Sequence, residues 1–364
     1  MTNRRSTPCF ASLIAMLVGV TGCSREVAQV ATTELQPTPD TVIAAYSEVT
    51  GAAWLGGDRW AVIAPLERAV GVVNFDRKTL GRFGGSRPGE LQQPFHLFRS
   101  GDSIYIADWL RRRITRWSLA GSLEGSIPAP ERFRGTLPKA RDAAGRWYLE
   151  LRPAPGRDGQ GNLDSAAIVR ASPDFAEADT VVRLAPFDLA EVQTEAGRRF
   201  ERRLLSGEDQ WDVLPDGTVW IARVTQNRVD WRDPAGRQVR GNELPDRVLP
   251  VTQNDRDVFL HRFEPGLRPT VEQIPFAAIK PPFVGALTDP TGRVWVVKNR
   301  AIGDSLRTYQ IVDRSGKLVR LVSHPGLGRI LGLGNGRALV GEPFANGVRL
   351  LLFRVPGDSS SAGT

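Results

Sequence analysis

Histidine, lysine and cysteine are scarce in this 364-residue chain, and each shortage closes a route. The three histidines, His96, His261 and His324, stand far apart, and there is no His-x-x-x-His or Cys-x-x-Cys, so a local metal-ligand motif is excluded. Cys9 lies within residues 1–22 and Cys23 directly follows them, so no disulfide can form after residue 23 and stability must come from a core. No Gly-x-Ser-x-Gly occurs, which removes the strained serine elbow of many hydrolases. Gly332-Leu333-Gly334-Asn335-Gly336 is glycine-rich, but it leads into a strand pattern rather than a helix, so it is a turn and not a phosphate cradle. Lysine occurs only at positions 78, 139, 280, 298 and 317, so the formal charge of +8 rests on arginine. With abundant Ala, Gly and Pro, that skew reflects a GC-rich genome, and no nucleic-acid partner is expected.

The N-terminus is organised for export. Arg4 and Arg5 give a positive start, an apolar run follows from Phe10 to Val20, and small residues lead to Cys23. The run is about a dozen residues, whereas a membrane-spanning helix needs roughly 20. Val20-Thr21-Gly22-Cys23 resembles the lipobox of bacterial lipoproteins, in which cleavage precedes the cysteine and its thiol is lipidated. An ordinary cleavage site that ends in Cys is the other reading. The resemblance implies a lipid on Cys23, and Ser24 after it implies outer-membrane sorting. The expected layout is a signal peptide over 1–22, a tether over 23–39, a folded domain over 40–356 and a polar tail over 357–364.

Within the domain one pattern recurs: a Gly- or Asp-containing turn, then a short strand led by a bulky residue. It reads Gly57-Asp58-Arg59-Trp60, Gly101-Asp102-Ser103-Ile104-Tyr105 and Gly145-Arg146-Trp147-Tyr148. It returns as Asp216-Gly217-Thr218-Val219-Trp220, Gly292-Arg293-Val294-Trp295 and Gly336-Arg337-Ala338-Leu339. Each copy is followed by a second alternating strand, which is a hairpin signal. Six hairpins spaced about 45 residues apart predict an all-β, six-bladed β-propeller, because one blade cannot cover both its faces alone. The gaps from Tyr148 to Trp220 and from Trp220 to Trp295 each carry an excess of about 30 residues, too few for another blade. These excesses read as insertions near 186–210 and 245–282 on the loop face. Leu189, Val192, Ala196, Phe200 and Leu204 predict an amphipathic helix in the first, and Asn254 to Phe263 is weakly helical in the second. The last copy has no outer strand of its own, so Asp40 to Tyr46 is expected to complete it and close the ring.

Phe83 to Pro94 (FGGSRPGELQQP) and Ile104 to Ile114 (IYIADWLRRRI) resemble the linker and the Val-Ala-Asp-x-x-Asn-x-Arg-Ile strand of NHL-repeat propellers. Arg87, Leu91 and Arg111 depart from that pattern, and in the fourth copy Arg223 stands where its Asp would be. The resemblance implies the six-bladed fold and says little about function, since such folds host many. It also implies two channel candidates. His96 follows Pro94 in an innermost strand, where some related lyases hold a metal; its other reading is a ring satisfied by backbone. Asp108 occupies the family's acidic position, where it serves as an acid or simply binds backbone amides.

The loops after each second strand should gather on one rim. Arg87, Arg111, Arg112, Arg228 and Arg300, with Trp109 as a flat contact, make a candidate binding rim for an anionic small molecule, glycan, peptide or protein. A solvated arginine-rich surface is the other reading of the same residues. The favoured function is therefore an exported, lipid-anchored propeller that binds without chemistry and needs no cofactor. The alternative is a propeller enzyme, a metal-dependent lyase or lactonase-like hydrolase with calcium or zinc in the channel. A scaffold for a larger envelope complex is the third.

Overall fold

The second strand of each repeat is an almost unbroken apolar run, and the structure shows why. Arg59–Ala64 and Ser103–Asp108 are buried from their second residue to their last. A strand covered on both faces needs a sheet on either side, and a ring of sheets supplies one to every strand. The computed structural model describes residue 30 and residues 32–83, 91–152, 165–194, 197–345 and 347–356. Cys23, Arg87 and the tail over 357–364 lie outside the described residues.

The chain forms a six-bladed propeller. Each blade is an antiparallel sheet of four strands whose innermost strand touches the innermost strands of both neighbouring blades, and the sixth meets the first. The innermost strands are Gly51–Gly56, Pro94–Ser100, Ala140–Arg141, Gln210–Val213, Phe283–Thr288 and Arg329–Gly334. Six apolar clusters fill the six gaps between blades. Trp147 and Leu149 of blade 3 meet Tyr105 and Ile114 of blade 2, and Trp220 of blade 4 meets Val294 and Val296 of blade 5. The bulky residue that opens each repeat thus belongs to an interface between blades and not to a core of its own.

The hairpins on one face, the turn face, carry a recurrent Asp-x-x-Gly-Arg or Asp-x-x-Gly-Lys. Asp142, Asp233, Asp289 and Asp313 each accept the amide of the residue four positions on, at 2.8 to 3.1 Å. Gly145, Gly236, Gly292 and Gly316 take φ between 79 and 91°, a left-handed backbone that favours glycine. In three of the four turns the arginine then donates Nε back to the same carboxylate.

The ring is closed from the N-terminus. Gln36–Ala45 pairs antiparallel with Gly347–Arg354 as the outer strand of blade 6. Pro37 and Pro39 are tolerated in that strand because it is an edge. The tether expected over 23–39 is shorter in its described part. Thr32–Glu34 pairs in parallel with the outer strand of blade 5, and Leu35 is 2% exposed between blades 5 and 6.

The first insertion corrects the sequence expectation. Leu189–Thr194 and Gly197–Arg202 form a β-hairpin, not a helix. Ala190 and Val192 are buried while Glu191 and Gln193, which alternate with them, are exposed, so period two prevails over the three- and four-residue spacing. The second insertion is helical, with Gln253–Leu260 and Arg268–Glu272. Thr252 and Asp255 make a reciprocal capping box at the first of these helices. The two insertions are joined by Leu204 N to Pro275 O at 3.0 Å and Ala277 N to Leu204 O at 2.9 Å. Lys280 Nζ lies 2.5 Å from Asp255 Oδ1 beneath them. Burial works against the Asp255 charge, yet bonds from Lys280 and Thr252 hold its carboxyl below the usual range.

Candidate functional site

Second-to-third-strand loops and outer-to-inner connections leave the blades on the same side, opposite the turn face. Among the described residues seventeen large apolar side chains are exposed, and thirteen of them lie on this loop face. The other four, Leu80, Leu123, Val239 and Val319, sit on outer strands. Trp109 and Leu110 of blade 2, Leu66 of blade 1, Ile302 of blade 5 and Phe344 of blade 6 stand at loop tips or strand ends of this face. Single exposed apolar groups are ordinary, whereas such an asymmetry marks a contact surface.

Two cavities meet on that face. The central channel encloses about 380 Å³ and takes lining residues from every blade, among them His96, Lys139, Asp212 and Leu331. A cleft of about 710 Å³ opens between blades 2 and 3, over Phe95, Trp109, Leu137 and Pro138, with Arg134, Glu150 and Arg152 at its edges. Phe95, His96 and Lys139 line both, so cleft and channel share a wall.

His96 is where the sequence placed it, on an innermost strand. Its Nε2 lies 2.7 Å from the Lys139 carbonyl, which can only accept, so Nε2 carries the proton. Burial, reinforced by the nearby Lys139 charge, pushes its pKa down to about 4, so the ring is neutral near pH 7. Lys139 Nζ donates to the Trp211 carbonyl at 2.9 Å and lies 4.6 Å from the centre of the Trp211 ring. Burial lowers the Lys139 pKa, while Asp212, Glu150 and Glu208 act in the opposite sense. Burial raises the pKa of Asp212, against the pull of Lys139. Lys139 and Asp212 carry no motif, and sequence reading missed both. The one available signal was a lone lysine in an arginine-rich chain, set between Pro138 and the strand residue Ala140.

A divalent ion does not fit this lining. Calcium wants about six to eight oxygen ligands and zinc about four donors. Near one another here are a single carboxylate, a histidine already held by backbone and an ammonium that repels cations. No group of three or more His, Cys, Asp or Glu positioned for a metal occurs among the described residues.

Asp108 is fully buried, and its two oxygens accept the amides of Gln92 and Gln93, each at 2.9 Å. It fastens the segment entering blade 2 and does not line the channel. In blade 4, Arg223 ends the corresponding strand and the acid moves to the entering segment. Asp209 accepts the amides of Ala185 and Val224 and the Arg223 guanidinium, all within 2.9 Å.

The rim residues are not brought together. Trp109, 58% exposed, stands at the cleft in an edge-to-face contact with Phe95, and Arg111 and Arg112 follow it in an exposed loop. Arg112 folds over Gly135, where an added Cβ would collide with its guanidinium. Arg228 is bound to Asp230 at 2.8 Å, and Arg300 donates to the Asp304 carbonyl at 2.7 Å in a separate concavity. His261 caps a helix end, with Nδ1 2.6 Å from the Asp257 carbonyl. His324 is a 2%-exposed strand residue packed edge-on to Phe353.

No protein-family model matches the chain, and no curated protein matches it in sequence. Solved propellers resemble it in shape. The gluconolactonase XC5397 from Xanthomonas campestris is 14% identical with a TM-score of 0.45, over 88% of this chain and 94% of that one. Regucalcin, a calcium-binding protein from Agrobacterium tumefaciens, is 10% identical with a TM-score of 0.43, over 89% and 96%. Virginiamycin B lyase from Staphylococcus aureus is 10% identical with a TM-score of 0.45, over 86% and 97%.

Proposed function

We propose that this chain is an exported, lipid-anchored propeller that acts as a binding module of the cell envelope, probing its surroundings with the loop face. The single observation that carries the reading is the gathering of exposed apolar side chains on that face, around a cleft and a channel mouth that share a wall. Residues 4 to 24 support the export signal and the lipid on Cys23, and the apolar tips with their neighbouring arginines suit a contact surface. The test is photo-crosslinking in intact envelopes, with a photoreactive residue at Leu66, Leu110 or Ile302 on the loop face and at Arg77 or Ser315 on the turn face. Adducts confined to the loop face are expected. Equal or greater yields from the turn face would overturn the reading.

An enzyme working in the channel is the second reading, and one observation favours it. His96, Lys139 and Asp212 line the same cavity, each with its titration displaced by burial, an arrangement common where protons are moved. It would be a lactonase-like hydrolase rather than a metal-dependent lyase, because the lining does not suit a metal. Turnover of simple lactones that disappears in His96→Gln and Asp212→Asn would support it, and parent protein without turnover would remove it.

A further inference from the structure

Of the three cations that line the cleft, Lys139 and Arg134 pair with no carboxylate among the described residues, and Lys139 is the one at the wall shared with the channel. Arg152 lies between Glu150 at 3.2 Å and Glu208 at 3.6 Å, and Arg134 donates to the Arg152 carbonyl. Glu150 is also engaged, since its other oxygen accepts the Trp211 indole N–H at 2.8 Å. Among the described residues Lys139 makes no ion pair; one of its three N–H groups reaches the Trp211 carbonyl. Asp212, Glu150 and Glu208 favour its charge from a distance, and its remaining N–H groups are free to meet a ligand.

The rest of the cleft is built for a flat, apolar body. Phe95 and Trp109 meet edge-to-face with centroids 6.2 Å apart, yet they remain 46% and 58% exposed. Leu137 and Pro138 face the same space. Its volume of about 710 Å³ falls within the range of small-molecule pockets, roughly 300–1,000 Å³. Rings of this kind in the wet are costly unless a partner covers them, and two of them beside a half-buried ammonium define a ligand with two ends.

Resting on the loop-face reading above, we propose that the cleft between blades 2 and 3 binds a small ring-bearing carboxylate, its ring against Phe95 and Trp109 and its carboxylate at the Lys139 ammonium. His96 adds a preference. Its Nε2 proton is committed to the Lys139 carbonyl, so Nδ1 is left as an acceptor for a hydroxyl on the ligand.

The probes are 2-naphthoate and its uncharged counterpart 2-naphthamide, titrated calorimetrically into the full chain in detergent. Naphthoate should bind at least tenfold more tightly than naphthamide. Lys139→Met should weaken naphthoate at least tenfold and leave naphthamide unchanged, while Trp109→Ala should weaken both. Equal affinities for the two probes, no binding of either, or an unchanged naphthoate affinity in K139M would each overturn the proposal. If K139M fails to fold, the exposed Trp109→Ala variant decides alone, and unchanged binding there refutes it. Failure of the pocket with loop-face cross-links intact removes only the pocket; failure of both removes the face as well.

Discussion

Leu35→Ala should destabilise the propeller even though Leu35 lies in what reads as a polar tether. The side chain is 2% exposed and shares a cluster with Trp295, Tyr309, Val322, Ile330 and Phe353, on both sides of the gap between blades 5 and 6. Truncating a buried leucine loses its transfer free energy and leaves a cavity, together about 2–5 kcal/mol. The upper half of that range is expected, because cluster members on the fixed second and third strands cannot collapse inward to fill the gap. Urea unfolding of the full chain, followed by tryptophan fluorescence, measures the loss. Thr33→Ala, partly exposed one turn of the pleat away, serves as the control and should change stability by less than about 0.5 kcal/mol. Removing residues 24–29 should also leave the midpoint where it was. A Leu35→Ala variant as stable as the Thr33→Ala control would mean that the segment does not seal the ring.

The pH dependence of stability should carry the signature of His96. Its folded pKa, near 4, is below the unfolded value of about 6.5, so the unfolded chain takes up the proton first and stability falls as pH drops through that window. His96→Gln should flatten the decline by up to about 3 kcal/mol between pH 7 and 4, and identical pH profiles for parent and variant would show the ring to be solvated. Asp108→Asn should cost about 1–3 kcal/mol, because an amide group presents only one acceptor oxygen to the Gln92 and Gln93 amides; a neutral effect in denaturant titration would contradict that role. Cys23→Ser should abolish fatty-acid incorporation and release the chain from the membrane fraction, and a variant that is still labelled would rule out Cys23 as the anchor.

The blades were legible because their second strands are buried on both faces and so appear as apolar runs led by Trp60, Tyr105, Trp220 or Trp295. The closing strand could be found because the last copy visibly lacked a partner. The first insertion was misread because a run of Leu, Val, Ala and Phe at mixed spacing fits both periods, and only its seat against the blades selects one. The site was harder to see. Innermost strands are short and half-exposed to the channel, so they carry little hydrophobic signal, and Lys139 and Asp212 converge from segments with no motif in common. The arginines that looked like a rim were judged by position alone. Arg228 is held by Asp230, two positions on in the same strand, and Arg300 is tied to the Asp304 carbonyl.

Pairing the first described strands with the last blades also sets an order of events. Thr33 and Val322, 289 positions apart in sequence, become neighbours only when the outer strand of blade 5 is available. Any machinery that hands over the N-terminus first must therefore wait for residues near Arg354 before the circle can be fastened. Without those pairings the flanks of blades 1 and 5 that face blade 6 would be bare. The last interface to form locks all the others, and an unthreaded, extended chain and a finished ring are mutually exclusive states.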